Sequence, residues 1–192
     1  MRRTQRTQVR IVAGELRGRK IACTVTPELR PTPQMVREAF FSILGNAIPD
    51  RPFFDLFAGT GVIGMEAISR GASSATFLEN DLRLARQIEE YLKEFEIADR
   101  ASVLRADVYR WAERWQPPDM PVNIFLSPPF ADLERRLDGF LNLVRTLLAK
   151  VPAGSVAVIQ AELGFPEQEL PQALSWERRQ YGRNLLLIWV QP

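Results

Sequence analysis

The chain has 192 residues, 46% of them hydrophobic and 25% charged, the make-up of one globular domain with room for a proper core. It holds one cysteine, Cys23, and no histidine, which excludes an intramolecular disulfide, Ser-His-Asp and Cys-His catalysis, imidazole general bases and histidine-based zinc sites. The formal net charge is +2, yet residues 1–20 hold seven basic side chains against the single acid Glu15. Such a basic arm suits a polyanion partner, although a solvated tail has the same composition. No apolar run approaches the ~18 residues of a membrane span, and the N-terminus lacks the apolar core of a secretory signal. A cytoplasmic protein is expected, with no metal site and no membrane partner.

In chain order, residues 9–25 read as short β segments broken at Gly14 and Gly18, a hairpin able to carry its arginines on one face. A helix follows, with Thr32 as N-cap, Pro33 as first helical residue, and Met35, Val36, Ala39, Phe40, Ile43 and Leu44 at helical spacing up to Gly45. From Phe53 strands and helices alternate. "FFDLFA" is a buried strand, "GTG" a turn, and "VIGMEAISRG" a helix. "SATFLE" is the next strand, and "DLRLARQIEEYLKEF" an amphipathic helix with Leu84, Ile88, Leu92 and Phe95 on one face. "ASVLRAD" is a strand, "VYRWAERW" a short helix and "VNIFLS" a strand. "LERRLDGFLNLVRTLLAK" predicts one long helix, "GSVAVIQAE" a strand, and the end of the chain a β-hairpin around Gly182 and Arg183.

This alternation predicts an α/β, mostly parallel sheet covered on both faces, with an antiparallel C-terminal strand. Ligands of such sheets bind at the carboxyl ends of the strands. Asp55 to Gly61, Glu79, Asp107 and Ser127 to Phe130 all fall at strand ends.

"DLFAGTGVIG" contains Gly59-x-Gly61-x-x-Gly64, and Glu79 closes the next strand. The pattern alone suits a dinucleotide. Asp55 argues otherwise, because a carboxylate four residues before the first glycine repels a pyrophosphate and welcomes a cationic amino-acid group. The chain also has no room for the substrate domain that a dehydrogenase adds. An acid before the glycine turn, a second after the next strand and a third after the one following suit S-adenosylmethionine.

Four stretches resemble motifs of the RsmD family of bacterial 16S rRNA (guanine-N2)-methyltransferases: "RIVAGELRGRKI", "RPTPQMVREAFFSIL", "FDLFAGTGVIGMEAISRGA" and "NIFLSPPF". The resemblance runs over roughly residues 9–190. It implies a Rossmann-like, seven-stranded methyltransferase sheet with a small N-terminal hairpin and helix extension, S-adenosylmethionine as methyl donor, and a guanine N2 amine of 16S rRNA as target. The organisation expected is a basic RNA-contacting arm over 1–30 and a methyltransferase domain over 31–192. The protein is expected to act as a monomer on 16S rRNA, within an assembling 30S subunit.

Carried over by residue, the resemblance places cofactor contacts on Asp55, Phe57, Gly59, Thr60 and Gly61, ribose contacts on Glu79 and an adenine contact on Asp107. Asp107 can equally cap the following helix. Ser127, Pro128, Pro129 and Phe130 form the catalytic corner. Arg10, Arg17, Arg19, Lys20 and Arg30 are expected to contact RNA, and Thr32 and Arg37 to face the cofactor or the RNA unless their helix only packs. The family carries an acid or amide before the two prolines, where this chain has Ser127. "SPPF" also resembles the motif of DNA N4-cytosine methyltransferases, which keeps fold and cofactor but changes the substrate. A catalytically impaired rRNA-binding homologue and a nicotinamide-dependent oxidoreductase are the other readings.

Overall fold

A computed structural model of the protein describes residues 5–26 and 31–192. Arg30 lies outside the described residues, so its expected RNA contact has no structural account.

β1 (Gln5–Arg10) and β2 (Lys20–Val25) pair antiparallel, with Arg10 opposite Lys20 and Arg6 opposite Thr24. Alternation sorts the side chains as expected. Val9, Ile21 and Cys23 face inward, while Arg6, Gln8, Arg10, Lys20 and Thr24 face out. Gly14 turns the loop at φ +81, and an added Cβ there would lie 1.7 Å from the Ser69 carbonyl oxygen. Leu16 N donates to Ser69 Oγ at 2.9 Å. The hairpin loop is thus seated on the end of the helix that carries Ser69. Its inner face shares one apolar cluster with the helices described next.

α1 (Gln34–Leu44) starts one residue later than the sequence suggests. Pro33 is its N-cap, and Thr32 does not cap it. The Thr32 hydroxyl reaches instead across the fold and donates to Gln160 Oε1 at 2.7 Å. Met35, expected on the buried face, is 59% exposed, and the position facing inward is Arg37. Gly45 closes the helix as expected, its N–H donating to Phe41 O.

The main sheet holds β3 (Pro52–Leu56), β4 (Ser74–Leu78), β5 (Ala101–Leu104), β6 (Asn123–Leu126), β7 (Val156–Glu162), β8 (Glu177–Tyr181) and β9 (Asn184–Val190). Its order is β5-β4-β3-β6-β7-β9-β8. The first five strands run parallel, and β9 is antiparallel to both neighbours. The strand order reverses at β3, between β4 and β6, where such sheets open a crevice at the strands' carboxyl ends.

Strand residues alternate between two apolar clusters. Phe53, Phe125 and Val158 face α1, α2 (Val62–Ser69) and α3 (Leu82–Glu94). Phe54, Ile124 and Ile159 face α4 (Val108–Arg114) and α6 (Leu137–Leu148). The expected helix over 133–150 is two helices, α5 (Phe130–Arg135) and α6. Pro129 starts α5 with its fixed φ. Arg136 breaks the run at φ −134, ψ 33, and its guanidinium lies over the Tyr109 ring at 4.1 Å. No helix of the described residues is long and apolar enough to cross a membrane.

Candidate active site

A cleft of ≈ 1680 Å³ opens at the carboxyl ends of β3, β4, β6 and β7. Its walls include Asp55, Phe57, Gly59, Thr60, Glu79, Asp107, Ser127, Pro128, Pro129 and Phe130, residues that the sequence scatters over 76 positions.

The wall formed after β3 and β4 is held by backbone donors. Asp55 is 1% exposed, and its Oδ2 accepts from Gly64 N at 3.0 Å, across the first turn of α2. Burial pushes the Asp55 carboxyl up to about 8, against the lowering effect of that bond, and the nearby Glu79 carboxylate adds to the rise. Glu79 Oε2 accepts from Gly59 N at 2.7 Å and Oε1 from Asp81 N at 2.8 Å. Its carboxyl is also raised, mainly by burial. Asp107 caps α4, with Oδ1 accepting from Arg110 N at 3.1 Å, and also lines the cleft.

The three glycines divide the work. Gly59, at φ +55, gives its N–H to Glu79. Gly61 is not among the cleft-lining residues. At φ +72 it turns the chain into α2, where a Cβ would come within 2.9 Å of Ile88 Cγ1. A Cβ on Gly64 would meet the Phe77 ring at 2.3 Å, so this glycine lets α2 press against β4. Phe57 ends β3 earlier than expected by taking φ 67, a costly conformation for a bulky residue. Its ring meets Tyr109 edge-on at 5.9 Å.

The facing wall is made of side chains. Ser127 follows β6, and its N–H donates to Leu56 O at 3.4 Å. Its Oγ lies 3.5 Å from Gln160 Oε1 on β7. Gln160 Nε2 donates to Asn184 Oδ1 at 3.2 Å. Pro128, Pro129 and Phe130 carry the chain past the cleft into α5. Sequence reasoning missed Gln160, Asn184, Tyr109 and Arg136, all of which line the cleft. The signal for Gln160 was present, since it is the one amide inside the apolar run "VAVIQA".

The expected RNA contacts separate. Arg10, Arg17, Arg19 and Lys20 are exposed, with the Arg19 guanidinium 5.6 Å from the Phe95 ring centroid. Arg6, not singled out from the sequence, stands opposite Thr24, which lines the cleft. Arg37 must be corrected. It is 2% exposed and spends its guanidinium inside the fold, on Glu66 Oε2, on Thr32 O at 2.8 Å and on Arg10 O at 2.7 Å. An arginine so buried and satisfied ties the hairpin to α1 and α2 and cannot reach RNA. Among the described residues no group of histidine, cysteine and acidic side chains could hold a metal ion.

The sequence model of the family described as "Conserved hypothetical protein 95" matches residues 9–190. Ribosomal RNA small subunit methyltransferase D of Escherichia coli (strain K12) is 37% identical over 124 residues, 64% of this chain and 61% of that protein. The match therefore spans about three fifths of that relative's length. Among solved structures, the Thermus thermophilus protein TTHA0928 superposes with a TM-score of 0.73 at 28% identity, covering 95% of this chain and 99% of the other. The T. thermophilus 16S rRNA N2 methyltransferase RsmC, solved in complex with AdoMet and guanosine, has the same fold (TM-score 0.73, 19% identity, 98% of this chain and 51% of the other). With all but the ends of the chain matched, the protein belongs to the Conserved hypothetical protein 95 family, that of the RsmD small-subunit rRNA methyltransferases.

Proposed function

We propose that this protein transfers a methyl group from S-adenosylmethionine to the exocyclic N2 amine of a guanine in 16S rRNA, within an assembling 30S particle. The observation that carries the reading is one cleft that joins three strand-end acids on one side to the Ser127-Pro128-Pro129-Phe130 corner on the other. The activity for which the small-subunit rRNA methyltransferase D relatives are named supports the RNA substrate.

The residues present fit this cofactor. Asp55 is a buried acid facing the cleft with one backbone donor, and its carboxyl, raised to about 8, regains its charge beside an ammonium group. Glu79 accepts from the backbone N–H groups of Gly59 and Asp81, one on each oxygen, and lines the cleft where a ribose hydroxyl would meet it. Asp107, on the cleft wall, would accept from the adenine amino group. When bound, the cofactor supplies a methyl group on a sulfonium. The chain's own task is to hold an exocyclic amine in line with it and to draw that nitrogen's lone pair out of ring conjugation. Acceptors beside the amine hydrogens do this, so positioning carries most of the effect. The Pro128 carbonyl, aimed by locked φ angles, is one acceptor and Ser127 Oγ the other. Phe130 offers a face on which a flipped base stacks. None of these steps needs a histidine.

The basic face of the hairpin supplies phosphate contacts. β2 and the residue after it run from Lys20 to the cleft-lining Thr24 and Thr26, roughly 20 Å of extended chain leading from the charges to the site. Charge reversal at Arg17 and Arg19 should weaken RNA binding and lower the slope of log affinity against log salt by about 1 for each phosphate no longer neutralised. Unchanged affinity would remove the hairpin from the interface.

The deciding experiment is transfer of labelled methyl from S-adenosylmethionine to 16S rRNA and to 30S particles from a strain lacking this gene, with the modified base mapped. Label at a guanine N2 is expected. In parallel assays, labelling of a cytosine in unmethylated DNA with the rRNA left unlabelled would select the rival substrate, and tight NADH binding without S-adenosylmethionine binding would replace the reading altogether.

A further inference from the structure

We infer that Gln160 is a positioning residue that fixes the polarity of the Ser127 hydroxyl, so that a neutral serine presents only acceptor lone pairs to the target amine. The inference rests on the methyltransferase reading above. In the parallel ladder Leu126 pairs with Ile159, which places Ser127 beside Gln160 one step on, both on the face toward α1. Gln160 is 6% exposed and follows four apolar residues of β7. A buried amide costs stability unless its polar atoms are satisfied, and here both ends are. Nε2 donates to Asn184 Oδ1 at 3.2 Å. Oε1 receives Thr32 Oγ1 at 2.7 Å and Ser127 Oγ at 3.5 Å.

Asn184 Oδ1, which can only accept, therefore orients the amide, and the Thr32 hydroxyl donates to the end left over. Asn184 takes the NH₂ end, and the Thr32 hydroxyl takes the carbonyl end. A carbonyl can only accept, so the Ser127 proton must point at Gln160. What remains on Ser127 Oγ is two lone pairs turned to the cleft. An unconstrained serine hydroxyl rotates and can present its proton to the amine, which is the wrong polarity. An aspartate needs no such partner, because it is acceptor-only when ionised. At 3.5 Å the Ser127 contact is long, as catalytic hydrogen bonds often are before substrate binds.

A purely structural Gln160, tying α1 to β7, would cost activity whatever stood at position 127. The test is therefore a cycle of Gln160→Met in the Ser127 and the Ser127→Asp backgrounds, measuring kcat and KM for 30S particles and Kd for S-adenosylhomocysteine. With serine at 127, Gln160→Met should lower kcat about tenfold, the worth of one hydrogen bond of about 1.4 kcal/mol, with KM and Kd little changed. With aspartate at 127 the loss should shrink below about threefold. Equal losses in both backgrounds overturn the inference. Should Ser127→Asp be inactive, Gln160→Glu decides, since it keeps an acceptor facing Ser127. Partial rescue relative to Gln160→Met supports the inference, and no rescue overturns it. Absence of methyl transfer by the unsubstituted protein, with no S-adenosylhomocysteine binding, would instead sink the underlying reading.

Discussion

On one side of the cleft, Asp55 and Glu79 are held by the backbone N–H groups of Gly64, Gly59 and Asp81, at 3.0, 2.7 and 2.8 Å. On the other, Ser127 is oriented through side chains alone, by Gln160 and behind it Thr32 and Asn184. The first set of bonds spans 9, 20 and 2 residues of sequence, and the second spans 33, 128 and 24. A carboxylate bonded to a glycine turn is fixed once the turn folds. A hydroxyl oriented by three side chains is fixed only when β6, β7, β9 and the segment before α1 have all closed. The first wall should therefore fail as a binding site, and the second as an aligned one.

The largest effect should come from Asp55. Asp55→Ala removes the buried acid proposed to pair with the cofactor's ammonium, and loss of one member of such a pair costs about 3 kcal/mol or more, over a hundredfold in Kd for S-adenosylmethionine by titration calorimetry. Normal binding by a folded Asp55→Ala protein would cancel the assignment. Because burial pushes the free carboxyl up to about 8, affinity should rise with pH from about 6 toward 8, with proton release on binding. The effect on stability has the opposite sign. A carboxyl raised in the folded state contributes stability that is fully present below its ordinary carboxylate range and is lost as pH rises through about 8. Thermal unfolding of the ligand-free protein should show that decline. Asp55→Asn should reduce the slope without abolishing it, since the Glu79 carboxyl is raised as well.

The same contrast explains what could be read from the sequence. The succession of strands and helices, the glycine turn and the acids at the ends of β3, β4 and β5 were legible because each is a local pattern: alternation, turn chemistry, a charge at the end of an apolar run. Arg37 misleads because a charged residue on an amphipathic helix is usually solvated, and only the fold brings Glu66, Thr32 O and Arg10 O around it. Thr32 reads as a cap because Thr-Pro is a local helix-start signal, while its acceptor lies 128 residues away. The break at Arg136 is hidden because no glycine or proline marks it. Its stacking on Tyr109 is a tertiary contact.

Gly64→Ala probes the backbone wall more gently. The new Cβ would lie 2.3 Å from the Phe77 ring, so α2 must move off β4 and carry Gly64 N away from Asp55. Overpacking of this kind costs about 1–3 kcal/mol in chemical denaturation. Cofactor affinity should fall with it, because the same N–H orients the carboxylate. A stability loss with unchanged affinity would show that Asp55 is held by something other than this turn.

Thr32→Val should give the smallest change and tests whether the walls are independent. Valine keeps the volume and removes the hydroxyl that donates to Gln160, at a cost of about 1 kcal/mol. Gln160 Oε1 keeps Ser127, so the lock should weaken rather than vanish, with a few-fold fall in kcat and an unchanged cofactor Kd. Among the described residues the functional side chains of the two walls share no hydrogen bond, and they are linked through the sheet, where Ser127 N donates to Leu56 O. The stability costs of Gly64→Ala and Thr32→Val should then add within about 0.5 kcal/mol in the double variant. A larger coupling would mean that closing one wall shapes the other, and that cofactor binding tunes the alignment of Ser127 through β3 and β6.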